Sequence, residues 1–145
     1  MAEGSIPKAS YNAFALLHRL GAERLAVDSR SVLATRRQDG TLIIAAWNYA
    51  PPGESRAPQE LTLALKGLGA KRHAIIFRVD DDHGSALRAW EAMGRPSFPS
   101  REQQEVLREA GRLPAPEIRQ IASGDPAPLF LSLPPHGLAL IEIWK

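Results

Sequence analysis

Between Thr41 and Tyr49 the residues alternate with both faces apolar, and this stretch limits the fold more than any other. Successive side chains of a strand point to opposite sides, so Leu42, Ile44 and Ala46 share one face and Ile43, Ala45, Trp47 and Tyr49 the other. Such a strand has to be central in a sheet or covered from both sides. Ser31–Arg37 precedes it as a second strand, and the Asp39-Gly40 pair between them is a strong hairpin signal.

The same two-residue period returns along the chain. Leu61, Leu63 and Leu65 alternate with Thr62 and Ala64, and Ile75, Phe77 and Val79 alternate with Ile76 and Arg78. Further strands are expected at Glu117–Ala122, Leu129–Leu133 and Leu138–Ile143. Twelve prolines and eleven glycines fall mostly between these runs, which favours short elements and many turns. The middle is helical. Ser85–Met93 reads as a short helix closed by Gly94. Ser100 with Gln103 three residues on reads as a capping box, opening a helix with Val106, Leu107 and Ala110 as its apolar stripe and Gly111 at its end. The expectation is a mostly β fold: an antiparallel two-sheet β-sandwich carrying a short helical insert at about 85–111.

A helix leads the chain. Ser10 is its expected N-cap, with Tyr11–Leu20 as its body and Gly21 as its stop. Ala13, Leu16, Leu17 and Leu20 form one apolar stripe, and Tyr11, Phe14, Ala15 and His18 form another. A helix that is apolar nearly all round is buried on several sides. The second stripe therefore points to a partner surface outside this chain, with Tyr11, Phe14, Leu17 and His18 as candidate interface residues. The domain boundary is expected near Gly21–Asp28, giving a leading helix at 1–21 and a sandwich at 22–145.

Composition excludes several classes. The chain has 145 residues, enough for one domain with a real core, and no cysteine, so disulfides, thiolate metal sites and cysteine nucleophiles are out. The net charge is only +2, and the arginines that supply most of the eighteen cations are interspersed with acids. That pattern argues against a nucleic-acid groove, which needs a basic stripe. No apolar run is long enough for a membrane helix, and Met1–Lys8 lacks the layout of a signal peptide, which favours the cytoplasm over secretion.

Few motifs carry chemistry. Asp80-Asp81-Asp82-His83-Gly84 is the most polar spot, but it lacks the calcium-loop glycine and glutamate, and acids just ahead of a helix are an ordinary structural feature. His18, His73, His83 and His136 show no metal-ligand spacing, and no nucleophile elbow is present. No metal, cofactor or catalytic residue is assigned. Trp47 and Tyr49 share a face beside the Pro51-Pro52 loop, and such a pair can stack against pyranose rings or pack under a neighbouring element. Trp90 is expected in the core.

Several segments resemble the C-terminal region of family 39 β-xylosidases. They are Lys8-Ala9-Ser10-Tyr11-Asn12-Ala13-Phe14 with Leu16-Leu17-His18-Arg19-Leu20-Gly21; Thr35-Arg36-Arg37 to Asp39-Gly40; Trp47-Asn48-Tyr49; Asp80-x-x-His83-Gly84 through Trp90-x-x-Met93-Gly94-x-Pro96; and Leu133-Pro134-Pro135-His136-Gly137 onward. Ser85 departs from the asparagine expected there. The resemblance implies that the first helix is the last helix of a catalytic (β/α)8 barrel and the rest an accessory β-sandwich. It implies retaining glycoside hydrolysis by two barrel carboxylates. The Asn-Glu-Pro motif that carries the acid/base in relatives is absent here, so the chain alone is expected not to be an enzyme. Its implied partner is that barrel, with a homo-oligomer and a xylo-oligosaccharide as further partners to test.

Overall fold

The computed structural model describes residues 5–51, 53–70 and 73–144. Its elements are α1 (Ala9–Leu17), β1 (Glu23–Leu25), β2 (Val32–Arg36), β3 (Leu42–Trp47), β4 (Gln59–Leu65), β5 (His73–Val79), α2 (Leu87–Ala92), α3 (Arg101–Ala110), β6 (Glu117–Gln120), β7 (Ala127–Leu133) and β8 (Leu138–Trp144). The expected mostly β, antiparallel fold is present as a six-stranded sheet in the order β1-β2-β3-β8-β5-β6 and a two-stranded sheet β4-β7.

β3 sits where its two apolar faces require, hydrogen-bonded to β2 on one side and β8 on the other. Its hairpin with β2 turns at Gly40, whose φ of +81° suits glycine, and the Asp39 carboxylate accepts the Thr41 N–H at 2.8 Å. Ile44 and Ala46 face one core with Ala139, Ile141 and Ile143 of β8. β4 and β7 close this side, sending Leu65, Leu129, Leu131 and Leu133 inward while Thr62, Phe130 and Ser132 stay outside. Ile43 and Ala45 face the opposite way and form a second core with Val79, Leu140 and Leu16 of α1.

Four expectations shift. α1 begins two residues before Tyr11, because the Asn12 N–H already bonds the Lys8 carbonyl, so Ser10 lies within the first turn and caps nothing. The helix stops at Leu17, after which Arg19 and Leu20 make tighter three-residue bonds to Leu16 and Leu17. Gly21 then crosses β2 so closely that a Cβ there would lie 2.2 Å from the Arg36 carbonyl oxygen. Inside the expected handover segment, β1 pairs with β2 along Glu23–Leu25, a strand too short to show a period. In the insert, Ser100 and Gln103 form the expected capping box, but Val106 faces outward while Leu107 is buried.

Candidate functional site

α1 has one face on the protein and one face off it. Leu16 is 1% exposed and Asn12 is buried, whereas Tyr11 is 51% and Phe14 66% exposed. Ala15 and His18 are exposed beside them. These residues recur at three- and four-residue spacing and share one side of the helix. Of the four candidate interface residues, Tyr11, Phe14 and His18 lie together on this outer side. Leu17 is half-buried and packs against the core under α1.

Both ends of α1 are tied down by polar groups. Asn12 Nδ2 donates to the carbonyls of Gly84 and Gly111, each at 2.8 Å, which fixes the helix to both borders of the insert. At the other end Arg19 Nε lies 2.7 Å from Glu142 Oε1 on β8, and its guanidinium stacks 4.3 Å from the centre of the Phe77 ring. Arg37, from the β2–β3 turn, reaches the same carboxylate oxygen at 3.4 Å and donates from Nε to the Arg19 carbonyl at 3.0 Å.

A groove of about 730 Å³ opens between the segment before α1 and the helical insert, walled by Ile6, Pro7, Leu87, Trp90, Pro96 and Leu107. Trp90 is half-buried in its wall and not in the core, with Nε1 donating to the Pro96 carbonyl at 3.1 Å. Phe98, on the loop between the insert helices, is 92% exposed.

The polar cluster closes on itself. Asp80 is buried, and its Oδ1 accepts from the Asp82 N–H at 2.9 Å and meets His83 Nδ1 at 2.7 Å. Asp82 pairs with Arg88. Trp47 and Tyr49 part company: Trp47 is half-buried against the core under α1, while Tyr49 lies beyond the end of β3 and is 63% exposed. Pro52, of the neighbouring proline pair, lies outside the described residues. Asn48 between the two aromatics is buried and donates from Nδ2 to the carbonyls of Leu133 at 3.0 Å and Ala57 at 3.1 Å, joining the β3–β4 connection to the end of β7.

The family model described as glycosyl hydrolases family 39 matches residues 1–124. The chain belongs to this family. It is 33% identical over 142 residues to a beta-xylosidase of Geobacillus stearothermophilus, covering 96% of this chain and 27% of that protein. It is 27% identical over 144 residues to a beta-xylosidase of Caldicellulosiruptor saccharolyticus, covering 95% of this chain and 30% of that protein. Its fold matches a crystal structure of a monomeric beta-xylosidase from Caulobacter crescentus CB15 with a TM-score of 0.82 at 21% identity, over 99% of this chain and 32% of that one. The chain thus spans less than a third of the length of these relatives.

Within this family 39 chain, sequence reasoning missed Asn12, Asn48 and Glu142 as organising residues. The signal available for Glu142 was a lone carboxylate inside the apolar run Leu138–Ile143, which in a buried strand demands a cationic partner. For the two asparagines the partners are backbone carbonyls far away in sequence, and no local pattern names them.

Proposed function

We propose that the chain is a non-catalytic accessory β-sandwich of a family 39 β-xylosidase, buttressing the catalytic barrel through the outer face of α1. On this reading residues 1–21 are the last helix of the barrel and 22–145 the sandwich with its insert. The observation that carries it is the outer row of Tyr11, Phe14 and His18 on a helix whose other side is fastened to the sheet. An apolar row of this kind on a soluble protein marks a contact surface. On this reading what covers it lies in the more than two thirds of each relative beyond the region this chain matches.

The carboxylates support the non-catalytic half of the reading. A retaining glycosidase needs two carboxyl groups about 5–5.5 Å apart across a sugar site, one of them a free acid. Among the described residues the buried carboxylates are Asp80 and Glu142. Asp80 is engaged by His83 and a backbone N–H, and Glu142 by two arginines. The test is hydrolysis of an aryl β-xyloside by the purified chain. No turnover above buffer is expected, and turnover that persists through successive purification steps overturns the reading.

A second reading, xylo-oligosaccharide binding at Trp47 and Tyr49, keeps the exposure of Tyr49 in its favour. Against it, the half-buried Trp47 offers no open face comparable with that of Tyr49. Self-association through the outer face of α1 is the third, and a concentration series in analytical ultracentrifugation separates it from the first.

A further inference from the structure

A carboxylate sits at the centre of the sheet. Glu142 is 8% exposed on β8, between Ile141 and Ile143, which are fully buried. Its neighbours across the sheet are Ile43 and Ile75. Holding a charge there costs several kcal/mol unless cations and hydrogen bonds meet it. An apolar residue would fill the position more simply. Two arginines meet it instead, and both come from segments that frame the exit of α1: Arg19 from the turn after the helix, Arg37 from the β2–β3 turn. Arg37 also grips the Arg19 carbonyl, so the two segments that reach Glu142 Oε1 are tied to each other as well as to β8. Lengthwise along α1, the counterpart is Asn12, with its two buried bonds to Gly84 and Gly111.

We infer that Arg19, Arg37 and Glu142 form an ionic clasp which, with Asn12, makes α1 part of the sandwich's own folding unit and fixes the direction in which its outer face points. The clasp residues are positioning residues: they touch no partner, and they hold Tyr11, Phe14 and His18 in register for one. The inference rests on the reading that this face is a docking surface, but the clasp is tested on this chain alone, so the two can fail separately. A helix held in this way is ordered before it is covered, and binding then costs less conformational entropy.

The experiment is amide hydrogen exchange on the full chain. In the unmodified protein, amides of Ala13–Leu17 are expected to exchange through the same opening that exposes β3 and β8, a result that needs no variant. Glu142→Gln and Arg19→Met are each expected to speed exchange in α1 by about tenfold while β3 and β8 keep their protection, as for loss of a partly buried ion pair. The double variant is expected to lose less than the sum of the two single ones, because they share the Arg19–Glu142 pair while each also removes one contact of its own, Arg37 to Glu142 or Arg19 to Phe77. Exchange of α1 that is already far faster than that of β3 and β8 in the unmodified chain would overturn the inference. So would effects of the two substitutions that simply add.

Discussion

One side of the six-stranded sheet meets a second sheet, and the other meets a single helix. On the first side β4 and β7 lay a continuous row of leucines over Ile44, Ala46 and Ile141, and the chain completes that core by itself. On the second side α1 delivers Leu16 to Ile43, Ala45 and Leu140, and then turns Tyr11 and Phe14 to the solvent. The first side is built from alternation alone. The second is held by apolar contact in the middle and by polar bonds at both ends, with Asn12 at one and Glu142 at the other. The difference teaches that one core is sealed by a second sheet, while the other depends on a helix whose far side stays exposed.

Substitutions can break this contrast, and the largest effect belongs to the sealed side. Ile141→Ala empties a fully buried position between β3 and β5 and is expected to cost about 2–5 kcal/mol. Chemical denaturation followed by tryptophan fluorescence should show one cooperative transition moved to lower denaturant. Leu16→Ala on the helix side is expected to cost about 2–4 kcal/mol. Its signature differs: far-ultraviolet circular dichroism should report loss of α1 ahead of the sheet, so that one transition becomes two. A single shared transition in that variant would mean that the two sides do not differ in the way described. The smallest effect is expected at the insert. Ser100→Ala removes the side-chain half of the capping box and should lower stability by about 1 kcal/mol, with both cores intact by the same denaturation assay.

The sequence was most informative where a period could be counted. The two apolar faces of Leu42–Trp47 predicted a central strand, and they occupy the two cores on either side of it. Ser100 and Gln103 predicted their own cap because all of its partners are local. Of the four residues expected at an interface on the first helix, Tyr11, Phe14 and His18 are exposed, while Leu17 packs against the core. Legibility failed where an element is too short or a partner too distant. β1 has three residues and joins the sheet only because β2 offers it an open edge. The true start of α1 depends on a backbone bond to Lys8, which competes with Ser10 as the capping position. Asn12 and Glu142 find partners through the fold, 99 residues away for Asn12 and Gly111 and 105 for Arg37 and Glu142. Local periodicity tells which way a side chain faces, not what it will meet there.

We propose that the outer face of α1 is the contact surface for a catalytic barrel. This is tested most directly by calorimetric titration of this chain into a family 39 relative produced without the region that this chain matches, so that the relative's own copy of the helix does not fill the site. Saturable binding at one chain per barrel is expected. Phe14→Glu, a change at an exposed position that leaves the circular dichroism spectrum unaltered, is expected to abolish that binding. No heat of binding from a folded chain and a folded barrel, or binding that Phe14→Glu leaves intact, would contradict it.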